Sequence, residues 1–257
     1  MDTRNKRYAV FVDIDGTLMG NSREALQKNI DVIQKVRSCG HKVLINTGRS
    51  TAYMPKEFDA GRYFDGVVSG AGARIMLDKK EIFCKLMPEA AIRHFSETCY
   101  GTVDVSILEG VEEMYIVGPE RAFVYDWKII TPENIESYIR NGIMIEKFTI
   151  LGNAPDKLQD VMGNDYLVIQ HSTYAEIIHK AYTKAGAMRM VLDYLGIPTG
   201  QSIAIGDSLN DFDMLSAAGI GVAMGNAIQE IKDIATMTTA SVDEAGVAEA
   251  LEEIFKL

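Results

Sequence analysis

Tyr8-Ala-Val-Phe-Val-Asp-Ile-Asp-Gly-Thr-Leu18 decides the fold of this chain. Tyr8 to Val12 is an unbroken apolar run rich in aromatic and β-branched side chains. Such a run reads as a strand buried on both faces, as in a parallel sheet covered by helices. It ends in two carboxylates, Asp13 and Asp15, then Gly16 and Thr17. Open α/β sheets bind ligands at the carboxyl ends of their strands. Alternation puts both aspartate side chains on one side if strand geometry persists. Two acids held together there suit a cation, or proton and nucleophile chemistry, better than an ordinary Asp-Gly turn.

Working outward, Leu26, Ile30, Ile33 and Val36 follow at helical spacing, with Ser22 as N-cap and Gly40 as the stop. Lys42-Val-Leu-Ile45 is the next buried strand and runs into Asn46-Thr47-Gly48-Arg49. Strand, helix, strand with short joins is a βαβ unit, so the two strands should be parallel. Thr47 and Gly48 then emerge at the same edge as Asp13. A hydroxyl and a backbone N–H there make a small anion site, although Thr47 as a plain helix cap is the alternative. Val67–Ser69 reads as a third core strand. Gly70-Ala71-Gly72 lacks the third glycine of a dinucleotide fingerprint and reads as a tight backbone turn. Ile75–Leu77 and the polar tip Asp78–Glu81 follow.

From about Phe83 to Lys180 the pattern changes. Helices over Glu89–Tyr100, Pro119–Arg140 and Ala154–Val161 alternate with strands over Val103–Leu108, Ile143–Leu151 and Tyr166–Gln170. That is enough for a second α/β domain, and no chemical motif is legible in it. His94, His171 and His179 share no metal-ligand spacing, and Tyr125 and Trp127 read as core. Beyond it, Lys184 opens a helix that ends at Gly196. A cation at a helix N-terminus opposes the macrodipole and acquires a purpose only beside an anion site. Ser202-Ile-Ala-Ile205 then runs into Gly206-Asp207-Ser208-Leu209-Asn210-Asp211, a second buried run ending in acids. Hard oxygen ligands of this kind suit Mg²⁺. Ile220–Ala223 makes a further strand, and helices around Ala227–Ile234 and Ala245–Phe255 close the chain.

Composition sets the bounds. Across 257 residues, 47% are hydrophobic, so a substantial core is expected. The net charge of −10 speaks against nucleic-acid or membrane-surface partners. Cys39, Cys84 and Cys99 suggest neither a disulfide framework nor a zinc cluster, and each reads as a small buried hydrophobe. The charged start Met1–Arg7 has no apolar signal region, and no apolar run reaches membrane-span length. A cytoplasmic location is the expectation.

Asp13-x-Asp15-Gly-Thr17, Thr47-Gly48, Lys184 and Gly206-Asp207-x-x-Asn210-Asp211 together resemble the four motifs of the haloacid dehalogenase-like superfamily. The long insertion between the second and third motifs resembles the cap of its Cof-like, type IIB sugar-phosphatase branch. The resemblance implies a Rossmann-like α/β core over 1–82 and 181–257, with helices on both faces of a parallel sheet. Residues 83–180 would be an inserted, smaller α/β cap. It implies Asp13 as nucleophile and Asp15 as general acid/base, with Thr47, Gly48, Lys184 and Asn210 holding the phosphoryl group. Asp13, the Asp15 carbonyl and Asp207 would ligate Mg²⁺, with Asp211 supporting or joining them. The implied activity is Mg²⁺-dependent hydrolysis of a small-molecule phosphate ester, such as a sugar phosphate, through an aspartyl-phosphate. A phosphomutase of the same fold and an idle phosphosugar-binding regulator are the alternatives. Two positions depart from the family pattern: Ala71, where many relatives carry Asn, and Ala181, where Gly often precedes the lysine.

Overall fold

The computed structural model describes residues 6–58, 61–119 and 126–257. It divides into two compact units, one of 1–48, 55–83 and 183–257, the other of 49–54 and 84–182. Met1–Asn5, the start of the charged N-terminal segment, lie outside the described residues.

The first unit is built on an eight-stranded sheet. Its strands are β1 (Ala9–Val12), β2 (Lys42–Asn46), β3 (Gly66–Ser69), β4 (Arg74–Leu77) and β5 (Lys80–Cys84), with β12 (Ser202–Gly206), β13 (Ile220–Ala223) and β14 (Met237–Thr238) from the far end of the chain. The order is β14-β13-β12-β1-β2-β3-β4-β5. The six strands from β14 to β3 run parallel, and β4 turns back antiparallel on β3. Every residue of β1, β3, β12 and β13 is buried. Consecutive burial of that kind requires both faces of the sheet to be covered. The covering helices are α1 (Arg23–Ser38), α5 (Lys184–Leu195), α6 (Phe212–Ala217), α7 (Gln229–Ile234) and α8 (Gly246–Phe255), of which α1 packs on α8 and α6 on both α5 and α7. Ser22 caps α1 by accepting from the Ala25 N–H. Gly196, in left-handed conformation, ends α5.

Register aligns the strand ends. Val12 of β1 lies opposite Ile45 of β2 on one side and Ile205 of β12 on the other. Asp13, Thr47 and Asp207 therefore leave the sheet at one edge.

The second unit has a six-stranded sheet in the order β10-β11-β9-β6-β7-β8. Its strands are β6 (Val105–Gly110), β7 (Met114–Val117), β8 (Lys128–Ile130), β9 (Ile145–Leu151), β10 (Tyr166–Gln170) and β11 (Tyr174–His179). Its helices are α2 (Glu89–Cys99), α3 (Ile135–Arg140) and α4 (Leu158–Met162). One sheet face, through Leu108, Phe148, Ile150 and Ile177, shares an apolar core with Phe95, Ile135 and Leu158 of the helices. Phe95 and Phe148 stack with ring centroids 4.3 Å apart.

Several expectations are corrected. The long helix over Pro119–Arg140 is absent from the described part of that range, where strand β8 precedes the short α3. Residues 120–125, Tyr125 among them, lie outside the described residues. The helix over Ala154–Val161 shrinks to α4. Trp127 is half-buried and meets Tyr53 edge-on at 6.2 Å, so it is not core. Cys99 is buried and Cys84 half-buried, but Cys39 is exposed at the C-terminal cap of α1.

Candidate active site

The site grows from the end of β1. The Asp13 N–H donates to the Ile205 carbonyl at 3.1 Å, which ties the first acid to β12. Lys184 opens α5 beneath the cap made by Thr183, whose hydroxyl accepts from the Gly186 N–H. Its ammonium group is buried and spends all three protons. It donates to Asp13 Oδ1 at 2.7 Å, Asp211 Oδ1 at 2.7 Å and Asn210 Oδ1 at 3.1 Å. The cation that opposed its helix dipole thus sits among three oxygens. Burial works to lower the Lys184 pKa, but Asp13 and Asp211 outweigh it and hold the group protonated.

The acids are pushed the other way. Burial, followed by repulsion from Asp211 and Asp207, raises the Asp13 pKa to about 7 against the pull of Lys184. Burial and Asp211 raise Asp207 to about 6, and the charge of Asp15 adds to that push. Asp13, Asp207 and Asp211 each present an oxygen within 4.8 Å of the other two. A divalent cation among them would relieve this repulsion, so the donor set fits Mg²⁺. Asp211 is the least free of the three. Its Oδ2 accepts from the backbone N–H groups of Asp207 (3.1 Å) and Ser208 (3.3 Å), while Oδ1 receives Lys184. It also forms a capping box with Ser208. These bonds shape the turn from Asp207 to Asp211 and anchor the lysine.

Thr47 is buried at the end of β2; its N–H is taken by the Val68 carbonyl (3.0 Å), and its carbonyl accepts from Ala71 (3.0 Å). Gly48 follows it. Asp15 and Asn210 are exposed at the edge of the cluster.

Two residues that were given no role from the sequence make bonds that position the site. Thr17 donates to Asp207 Oδ1 at 3.0 Å, and its place directly after Asp-Gly was the available signal. Asn46 donates from Nδ2 to the Lys184 carbonyl at 2.9 Å, tying the strand that carries Thr47 to the helix that carries Lys184. Gly16 is also fixed in role. It has φ +75, and any Cβ there would collide with the Asp207 carboxylate. The turn Gly70-Ala71-Gly72 has positive φ throughout, and Ala71 at φ 55 carries a strain that Asn tolerates better.

The chain belongs to the haloacid dehalogenase-like hydrolase family, which its residues 10–251 match. It is 28% identical over 271 aligned positions to the 5-amino-6-(5-phospho-D-ribitylamino)uracil phosphatase YitU of Bacillus subtilis (strain 168), covering 98% of this chain and 99% of that protein. Its fold matches that of BT1666 from Bacteroides thetaiotaomicron, a phosphatase of the superfamily, with TM-score 0.78 and 25% identity over 98% of this chain and 96% of that one. It equally matches the subclass IIB sugar phosphatase BT4131, with TM-score 0.78 and 24% identity over 97% and 100% of the two chains. The protein is thus an enzyme of the haloacid dehalogenase-like phosphatases. Among the described residues no helix is long and apolar enough to cross a membrane.

Proposed function

We propose that the protein hydrolyses the phosphate monoester of a small sugar or polyol, with Asp13 as nucleophile and Asp15 as general acid/base. The observation that carries this reading is the buried Lys184–Asp13 pair at 2.7 Å beside the acidic trio. It sets a carboxylate and the charge needed to receive a phosphate at one point. The names of the relatives, a ribitylaminouracil phosphatase and a sugar phosphatase, support the substrate class.

Asp13, the Asp15 carbonyl and Asp207 are the residues that would hold Mg²⁺, with Asp211 supporting or joining them. Bound there, the ion would neutralise phosphoryl charge and favour the ionised form of Asp13. Asp13 attacks phosphorus, forming the acyl-phosphate bond as the ester P–O bond breaks. Asp15 gives its proton to the departing alkoxide, then takes one from the water that cleaves the acyl-phosphate. Lys184, turning one of its three donors from a protein oxygen to the substrate, holds the equatorial oxygens with Asn210, Thr47 and Gly48 through both steps. This assigns the chemistry to 1–82 and 181–257 and choice of leaving group to the cap, 83–180.

The test is Mg²⁺-dependent release of inorganic phosphate from p-nitrophenyl phosphate, with Asp13→Asn beside the parent. The expected result is turnover by the parent and none by a folded Asp13→Asn protein that still binds inorganic phosphate. Activity of the variant within about tenfold of the parent would remove Asp13 from the nucleophile role.

A further inference from the structure

A peptide bond beside glycine turns over more readily than any other, and Gly16 sits in the turn that carries the Asp15 carbonyl. The residues that fix this turn all belong to the first unit. The peptide bond before Gly16 is held by its N–H, which donates to the Met19 carbonyl at 3.1 Å. In a trans peptide the carbonyl opposes the N–H, so the same bond aims the Asp15 carbonyl away from Met19. The peptide bond after Gly16 has a longer local tie, from the Thr17 N–H to the Ile14 carbonyl at 3.3 Å. Its carbonyl is taken by a side chain 210 positions further along: Asn226 Nδ2 donates to the Gly16 carbonyl at 2.8 Å.

Asn226 is itself held in one orientation. Its Oδ1 accepts from the Val242 N–H at 2.8 Å, so a reversed amide would set donor against donor and acceptor against acceptor. The backbone around it, residues 224–228, is pinned to the end of β12. The Met224 N–H donates to the Gly206 carbonyl at 3.0 Å, and the Ile228 N–H donates to the Asp207 carbonyl at 3.2 Å. Behind it, a Cβ on Gly225 would come within 2.8 Å of the Ser241 nitrogen. One loop thus grips the backbone of Asp207 and, through Asn226, the turn of Gly16. Thr17 adds a second tie between the same two turns by donating to Asp207 Oδ1.

We propose that Asn226 is a positioning residue for the Mg²⁺ site: by bonding the Gly16 carbonyl it keeps the Gly16–Thr17 peptide from turning over and holds the Asp15 carbonyl in place beside Asp207. The inference rests on the function proposed above, because it takes the Asp15 carbonyl and Asp207 as ligands. Without the bond, the turn occupies its binding-competent form for a smaller fraction of the time. Apparent affinity for the ion falls by that fraction, and saturating ion draws the turn back.

Asn226→Ala and Asn226→Ser in the full-length protein test this. Both remove the amide donor, and serine is the milder change should the alanine variant not fold. Mg²⁺ is titrated against two readouts, the melting temperature without substrate and the turnover of p-nitrophenyl phosphate. The half-saturating Mg²⁺ concentration should rise by about fivefold in both, the size of one neutral hydrogen bond. At saturating Mg²⁺ the kcat should return to within about threefold of the parent. Amide exchange at Gly16 and Thr17 should accelerate in the metal-free variants, which reports on the turn without the ion. A merely structural role would lower the metal-free melting temperature and leave the half-saturation point unmoved. Folded variants whose half-saturating Mg²⁺ stays within about twofold of the parent would therefore overturn the positioning role. If Mg²⁺ neither stabilises the parent nor supports its turnover, the function proposed above falls, and the role of Asn226 with it.

Discussion

Lys147→Met is the most informative stability experiment on the second unit. On the sheet face opposite α2–α4, the register places Glu109 across from Lys147 and Glu176 across from Thr149. Lys147 bonds Glu176 and lies 3.5 Å from Glu109, which also accepts from the Thr149 hydroxyl at 2.6 Å. His171 meets the far oxygen of Glu176 at 3.1 Å. All three charged side chains are at most 10% exposed. At an effective dielectric near 20, one pair 3.5 Å apart is worth about 332/(20 × 3.5), or ~5 kcal/mol, before desolvation is set against it. Methionine fills a similar volume but leaves two buried carboxylates without their cation. The expected loss is about 3–5 kcal/mol. Trp127, the sole tryptophan, reports on this unit, so urea unfolding at pH 7 followed by its fluorescence measures the change. The penalty should shrink as the pH falls and the stranded carboxylates take up protons. It should largely vanish when Glu109→Gln and Glu176→Gln are added. A loss below about 1 kcal/mol for Lys147→Met alone would mean that the network is not the electrostatic centre of the unit.

The parent has its own acid limit. Burial alone would raise the Glu176 pKa, but Lys147 and His171 overcome it and hold the group at about 2, below its ordinary 4.5. Its stabilisation is therefore complete above pH 4.5 and is lost as the pH falls through about 2, which an acid titration of Trp127 fluorescence should show. Asp15→Asn should slow both phosphorylation and dephosphorylation of the enzyme by about 10²–10⁴-fold. Single-turnover phosphorylation should suffer less with nitrophenyl than with alkyl phosphates, and equal losses would deny Asp15 the acid role. Gly72→Ala would set a Cβ 2.6 Å from the Thr183 carbonyl at φ +108, displacing the residue that caps the Lys184 helix. A stability loss of about 1–3 kcal/mol with reduced turnover is expected, and an unchanged melting curve would refute it.

The first unit was legible because its signals are local. Tyr8–Val12 and Ser202–Ile205 announce buried strands by composition, and Ser22 and Gly196 mark helix ends by their own conformational chemistry. Lys184 stood out as a charge on the wrong end of a helix dipole. Asn46 gave no signal, since its partner is a backbone carbonyl 138 residues away. The Glu109–Lys147–Glu176 cluster was equally hidden: three charges on three strands become a motif only once register joins them. Lys128–Ile130 was read as helix because three residues are too few to display a period of two. Met114–Val117 and Tyr174–His179 went unassigned for a related reason. Their patterns make sense only beside the strands they pair with.

Strand order also bears on how this chain is made. β1 lies between β2 and β12, so the strand that carries Asp13 is translated about 190 residues before one of its two neighbours, the same separation that divides Thr17 from Asp207. During synthesis, β1 and β2 emerge with an unpaired apolar edge and wait while nearly all of the second unit leaves the ribosome. That unit draws its two sheet neighbours for β6, β9 and β11 from nearby sequence and can fold in the interval. The nascent first unit is left with a bare β1 edge of the kind that recruits foreign strands. Chaperone dependence in this protein should therefore concentrate in the window that closes when Ser202–Gly206 arrives, and slow codons placed shortly before that segment would lengthen the exposure.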